Sequence, residues 1–367
     1  MKKLLVITSN IAPYRLRWEE ELAKYYDVTI AYTKDKEAER KEGFLKHASD
    51  ICHVVKLNNP EDKDDPVCFD ALKLIKEHKD SFILFDGYGL KTNLLGMLYA
   101  KLRGMKRYVN VDGYALGEPV SKIKDFVKHI IIKYFCSDFF SSSELTKEHL
   151  IEYGAKRDRI LVHNFSSICD NQILDKPLRF EEKLKIREKL NIKSDKKLII
   201  AVGNFIPRKR FEDLIKALVD SDIKADLLFL GGRPTEEYLK LINNDPRVLF
   251  ADFVPPEMVD DYYKSADLFV LPSQTDVWGL VINEAMAKGL PVISSDHCIA
   301  GLAMVNDNGV VYPTGDIDSL REALRKCLDD ENNRIMSLKS LEIIRNYTIE
   351  EMVKRQVPVI DSYFEAK

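Results

Sequence analysis

Long hydrophobic runs are missing from this sequence: no apolar stretch is long enough to span a bilayer, which excludes a membrane-spanning helix. Cysteine is scarce. The six residues (Cys52, Cys68, Cys136, Cys169, Cys298 and Cys327) have no paired metal spacing, so reduced, buried thiols of a cytoplasmic protein are expected. The seven histidines show no ligand spacing either. An excess of one charge is also absent. With 56 basic and 59 acidic side chains the formal net charge is −3, and no global basic field recruits nucleic acid. Two Asp-x-Asp strings occur, Asp62-Lys63-Asp64 and Asp316-Ile317-Asp318. They read as surface acid and helix cap, so no metal site is expected. The opening apolar run stops at polar Ser9 and Asn10, and reads as a first β-strand rather than a signal peptide.

What is present is a globular composition, 45% hydrophobic and 31% charged, over 367 residues, enough for two domains. Strands are expected at 3–8, 28–32, 82–85, 107–111, 139–141 and 160–162, then at 197–202, 226–230, 248–250, 268–271 and 291–294. Amphipathic helices such as 15–25, 90–102 and 145–153 lie between them. This alternating order predicts parallel sheets covered on both faces, one per domain, and hence two Rossmann-like domains, at 1–170 and 171–347. The polar stretch from Asn164 to Lys196 joins them and ends in a charged helical run, 180–190. The first strand of each half ends in a related loop, Asn10-Ile11-Ala12-Pro13-Tyr14-Arg15 and Asn204-Phe205-Ile206-Pro207-Arg208-Lys209. Loops at the carboxyl ends of parallel strands line ligand crevices, so a central cleft with basic groups on both walls is expected. Two unrelated strand–helix turns, each starting a helix with Pro, are the simpler alternative.

The segment from Pro272 to Ile293 carries the most chemistry. A buried strand ends at Leu271, a helix opens near Gly279, and Gly289 with Pro291 terminates it. The helix N-terminus offers the N–H groups of Gly279, Leu280 and Val281 to a phosphate. Glu284, about a turn and a half further on, suits the vicinal hydroxyls of a ribose, and Asp276 precedes the helix where a sugar on the diphosphate would lie. Taken singly, Asp276 is as well explained as a loop acid and Glu284 as a solvated helix residue.

The combination Pro-Ser-x-x-Asp-x-Trp-Gly-Leu, with a second acid eight positions after the first and then Ala-Met-Ala-x-Gly-x-Pro-Val-Ile, resembles the donor motif of retaining family-4 (group 1) glycosyltransferases of the GT-B fold. The resemblance extends over nearly the whole chain. It implies two Rossmann-like domains and a C-terminal helix, about 348–367, crossing back to the first. It implies Lys209 on the donor diphosphate, Glu284 on the nucleotide ribose, Asp276 on the sugar, and Gly279 and Leu280 giving backbone N–H groups to phosphate. Phe253 falls in the loop that holds the base, and Trp278 in the donor motif. Three departures stand out: Asn204 replaces an arginine, Asp276 is shorter than the usual Glu, and Asp112 stands where many members have a histidine near the transferred sugar. Arg208 is then expected to replace that arginine on the phosphate, with a solvated place on the loop as the alternative.

The reaction implied is transfer from a UDP-, GDP- or ADP-linked sugar to a glycan or lipid-linked acceptor with retention, in cell-surface polysaccharide or glycoconjugate synthesis. It needs no cofactor and no metal, since Lys209, Arg208 and the helix N-terminus neutralise the leaving group. Catalytic candidates are Asp112, Lys209 and Asp276. Acceptor-side candidates are Asn10, Tyr14, Arg15, Asp86 and Tyr114, with Glu118 nearby; Arg15 is read as meeting donor phosphate or an anionic acceptor. Residues 123, 126, 127, 130, 131 and 134 form an apolar helical stripe flanked by lysines. Packing on the domain's sheet is expected of it, with peripheral contact at the inner face of a membrane as the alternative. A nucleotide-sugar epimerase on the same fold and a non-catalytic partner of another transferase are the rival functions.

Overall fold

The computed structural model describes residues 1–35, 49–117 and 121–366, with Pro256 and Glu257 as backbone only. It divides into two units: Met1–Gly113, Pro119–Ser167 and Thr348–Lys367 form the first, Tyr114–Glu118 and Ile168–Tyr347 the second.

The first unit contains β1 (Lys3–Thr8), β2 (Asp27–Tyr32), β3 (His53–Lys56), β4 (Phe82–Asp86), β5 (Tyr108–Val111), β6 (Asp138–Ser141) and β7 (Ile160–Val162). Its helices are α1 (Pro13–Leu22), α2 (Asp70–Glu77), α3 (Lys91–Leu102), α4 (Lys122–Ile130) and α5 (Glu144–Glu152). All seven strands are parallel, in the order β3-β2-β1-β4-β5-β6-β7. The central strands are apolar along nearly their whole length because helices cover both faces. Leu5, Ile7, Phe85, Val109 and Phe139 form the core with Ile75 and Met97 from the helices.

The second unit repeats the plan. Helix α6 (Phe180–Lys189) leads into β8 (Lys197–Val202), α7 (Phe211–Val219), β9 (Ala225–Leu230), α8 (Glu236–Ile242), β10 (Val248–Ala251), α9 (Pro256–Ser265) and β11 (Leu268–Leu271). There follow α10 (Leu280–Ala287), β12 (Val292–Ser295), α11 (Ile299–Met304), β13 (Gly309–Tyr312), α12 (Ile317–Leu328) and α13 (Asp330–Ile344). The sheet is parallel, ordered β10-β9-β8-β11-β12-β13. In both sheets the order reverses between the first strand and the fourth, β1/β4 and β8/β11, and at such a point the loops beyond the carboxyl ends diverge and leave a crevice.

The last helix, α14 (Ile349–Glu365), belongs to the first unit. Thr348 caps it, accepting from the Glu351 amide. Gln356 docks it: Trp18 Nε1 donates to its Oε1 at 2.9 Å, and its Nε2 donates to His163 Nδ1 at 2.6 Å. His163 is thus neutral with its proton on Nε2, and burial pushes its pKa down to about 3.

Sequence and structure differ at three places. The edge strands β3 and β13 were not expected; each is four residues long, and β3 is mostly exposed and lacks an apolar face. Helix α6, expected only as a charged helical run, buries two of its charges: Lys183 and Arg187 pack against Asp267 at 2.8 and 2.7 Å. Helix α4, expected to pack on its sheet, buries none of its residues.

Candidate functional site

In the second unit the loop after β8 and the loop after β11 meet across the strand reversal. Lys209 Nζ lies 2.6 Å from Asp276 Oδ2, and Ser273 Oγ donates to the same oxygen at 3.4 Å. Both partners are largely buried, so neither charge is satisfied by bulk water. The Asp276 amide donates to the His297 carbonyl at 3.0 Å, tying this loop to the one after β12. The Gln274 amide donates to the Arg208 carbonyl at 2.7 Å, joining the two basic-loop and acid-loop backbones.

Helix α10 starts beside this pair. Gly279 has φ +104°, a left-handed conformation, and a Cβ there would sit 2.6 Å from Cys298 Sγ. The glycine is therefore required by backbone conformation and by packing against Cys298. The first amides of α10, at Leu280 and Val281, fall outside the helix's own hydrogen-bond ladder by geometry. Glu284 follows one turn on, and Tyr263 Oη donates to its Oε2 at 2.8 Å. Buried Tyr263 keeps its proton: burial pushes its pKa up, and the Glu284 charge adds to the effect.

The other donor candidates divide. Trp278 is buried and donates its indole N–H to Asn283 Oδ1 at 2.9 Å, so it secures the start of α10 from inside. Phe253 is exposed in the loop after β10, Asn204 is exposed in the loop after β8, and Arg208 is half-buried. Arg210, which sequence reasoning passed over, takes φ +47° and spends its guanidinium on Asp213 at 2.6 Å and Gln274 Oε1 at 3.1 Å. It fixes the loop from behind.

The first unit repeats the arrangement. Arg15, one turn into α1, forms ion pairs with Asp86 at the end of β4 and with Asp112 just beyond β5, the latter at 2.6 Å. Asn110 Nδ2 donates to both acids, at 3.0 and 2.9 Å, and Thr8 Oγ1 donates to Asp86 at 2.8 Å. Burial alone would weaken Arg15 as a base, but Asp112 and Asp86 hold it charged. Burial pushes Asp112 up to about 6, although Arg15 opposes it. A cavity of about 270 Å³ lies here, lined by Ser9, Arg15, Asp86, Tyr88, Asn110 and Asp112 among others. Glu19, on the same helix as Arg15, is fully buried with both carboxylate oxygens unpartnered, and burial pushes its pKa well above the ordinary carboxylate range although Arg15 opposes it. Nothing in the sequence pattern signalled Glu19, because position 19 reads as one acid in a charged helix.

Asn10 is buried, its amide on Ser9 Oγ at 3.2 Å, and Tyr14 packs edge-on against Phe165 with ring centroids 5.9 Å apart. Tyr114, expected on the acceptor side of the first domain, groups with the second unit. Glu118 lies outside the described residues. Arg15 was read as meeting an anion. In this structure its guanidinium is engaged by two carboxylates, Asp86 and Asp112.

The Asp-x-Asp strings are engaged elsewhere. Asp316 caps α12 by accepting from the Ser319 amide at 3.0 Å, Asp64 pairs with Lys34 at 2.9 Å, and Asp62 accepts from the Asp35 amide at 2.7 Å. Among the described residues no group of three His, Cys, Asp or Glu side chains is arranged to hold a metal ion, and no helix is long and apolar enough to cross a membrane.

Residues 182–348 match the family described as glycosyl transferases group 1. The chain is 27% identical over 351 residues to the capsular polysaccharide biosynthesis glycosyltransferase CapM of Staphylococcus aureus, covering 90% of this chain and 88% of that one. In structure it is similar to a sucrose-phosphate synthase of Thermosynechococcus elongatus (18% identity, TM-score 0.79, covering 100% of both chains). It is also similar to the Anabaena protein HepE solved with UDP (16% identity, TM-score 0.77, 99% and 100% covered). The fold is GT-B, and the match over residues 182–348 together with the staphylococcal relative makes the chain a glycosyltransferase.

Proposed function

We propose that this glycosyltransferase takes a sugar from a nucleoside-diphosphate sugar held in its second unit and transfers it, with retention as in family 4, to a hydroxyl of a glycan or lipid-linked acceptor. The observation that carries the reading is the Lys209–Asp276 pair beside the N-terminus of α10, at the strand reversal of the second sheet. On donor binding Lys209 turns to the diphosphate, together with Arg208 and the amides of Gly279 and Leu280, and Asp276 is left to accept hydroxyls of the sugar. Glu284, oriented by Tyr263, takes the ribose hydroxyls, and Phe253 flanks the base.

As the bond from the anomeric carbon to the diphosphate oxygen breaks, its electron pair stays on that oxygen, where Lys209 and the helix amides oppose the charge. The acceptor oxygen bonds to the anomeric carbon from the face the diphosphate leaves, and its proton passes to the departing phosphate. No cofactor or metal enters this scheme. In the first unit the cavity presents two carboxylates against one guanidinium, so it suits an uncharged sugar whose hydroxyls donate to Asp86 and Asp112. A uridine nucleotide is the first donor to try, since the Anabaena relative was solved with UDP. Capsule synthesis in the staphylococcal relative supports a role in surface polysaccharide or glycoconjugate assembly on the cytoplasmic side of the membrane.

The test is product analysis by NMR with UDP-, GDP- and ADP-sugars and neutral glycoside acceptors. The account expects an acceptor-dependent product of unchanged anomeric configuration. An acceptor-independent change in the sugar would make the chain an epimerase, and nucleotide binding without turnover would make it a non-catalytic partner.

A further inference from the structure

The first unit carries a surface that sugar transfer does not use. In α4, Ile123, Phe126 and Val127 follow helical spacing, yet they are 77%, 65% and 47% exposed. A stripe of this kind normally covers a core. The π-helical turn that continues α4 over Ile131–Phe135 adds half-exposed Tyr134. Lys101 of α3 lies over the rings of Tyr134 and Phe135 at 5.9 and 5.3 Å, which brings the end of α3 to the same region, with Leu102 77% exposed.

Charge says what covers this face. Residues 98–107 and 122–137 hold eight lysines and arginines against a single acid, Asp125, in a chain whose net charge is −3. Two of the eight are turned inward. Lys128 contacts His149 Nε2 at 2.5 Å and lies over the Tyr153 ring, and Arg107 donates to the Phe135 carbonyl at 2.6 Å. The acid is also occupied, by the Tyr153 hydroxyl. Lys101, Arg103, Lys106, Lys122, Lys124 and Lys133 remain exposed around the apolar residues. Aromatic and aliphatic side chains ringed by lysine match a layer with an apolar interior and an anionic surface.

We propose that α4 and the end of α3 form a docking surface for an anionic lipid bilayer, with Ile123, Phe126 and Leu102 entering the headgroup boundary and the lysines meeting lipid phosphates. The surface is independent of the transferase reading and operates without nucleotide.

The experiment is co-sedimentation of the full chain with vesicles of phosphatidylcholine alone or mixed with phosphatidylglycerol, at low and high salt. Two double variants are compared, Ile123→Ser/Phe126→Ser and Lys122→Glu/Lys124→Glu. All four residues are exposed, so the fold tolerates both variants, and circular dichroism checks this. The expected result is binding to the mixed vesicles only, weakened by salt, with each variant losing roughly tenfold or more in partitioning. Equal binding of variants and wild type, or no binding to the mixed vesicles, overturns the proposal. So does a wild-type dimer that Ile123→Ser/Phe126→Ser dissociates, because the face is then taken by a second copy.

Discussion

Lys209 and Arg15 hold corresponding places: each stands beyond the first strand of a parallel sheet and meets an acid at or just beyond the end of the fourth. The sequence shows why these residues are basic but not what they meet, because the partners lie 67 and 71 positions away and only strand order brings them together. Asp276 and Glu284 were legible from a local motif around one helix. The Arg15–Asp86–Asp112 cluster and buried Glu19 were not. Arg208 is the residue whose role is open to a sharp test. Charge-assisted hydrogen bonds contribute about 1.5–3 kcal/mol each, so Arg208→Ala lowers kcat/KM by roughly tenfold to a hundredfold. Asn204→Arg recovers part of that loss if both positions reach the same phosphates, and a double-mutant cycle measures the coupling. A silent Arg208→Ala would leave Lys209 and the helix amides to hold the phosphate alone. Asp112 sets a pH dependence. With its pKa raised to about 6 it is ionised at neutral pH and takes up a proton as pH falls through 6. Its capacity to accept a sugar hydroxyl falls on that limb, so kcat/KM declines below about pH 6. In Asp112→Asn a pH–rate profile shows a lower, flat plateau there.

At the scale of elements, helix α6 shows how burial of charge misleads a sequence reading. Its run Phe180–Lys189 is dense in charge and gives no sign of a buried face, yet Lys183 and Arg187 are buried on Asp267, which also accepts from the Leu198 amide at 2.9 Å. Removing one member leaves uncompensated buried charge, so Asp267→Ala lowers stability by about 3–5 kcal/mol, read from urea unfolding. The sign with pH follows. Burial pushes the Asp267 pKa up, but Lys183, Arg187 and the amide outweigh it and hold the acid below its ordinary value. Its stabilisation is complete above its unfolded pKa, near 4, and fades as pH falls through the lower folded value. The same acid-limb loss is absent in Asp267→Ala. Central strands and long helices were legible from their apolar period, whereas β3 and β13 were hidden because short edge strands need little apolar sequence. Helix α4 had a clear period, but period alone does not say whether a stripe faces a sheet or leaves the protein.

For the whole molecule, alternation of strand and helix was enough to specify two parallel sheets, and the repeated Asn-x-x-Pro-x-basic loop marked the strand reversal in each. Substrate identity is not written at that scale, because it depends on a few side chains around each crevice. Neutralisation of the leaving diphosphate by Lys209 and helix amides predicts that transfer persists in EDTA; full loss, with recovery on adding Mg²⁺ or Mn²⁺, would require a metal-dependent account. The central claim is that one nucleoside diphosphate binds the second unit with Lys209 on phosphate and Glu284 on ribose. Calorimetric titration of UDP and uridine monophosphate into wild type, Lys209→Ala and Glu284→Ala tests it most directly. The account predicts that Glu284→Ala weakens both ligands, whereas Lys209→Ala weakens the diphosphate by roughly tenfold more than the monophosphate. Unchanged affinities in both variants, with binding intact in the wild type, would contradict it.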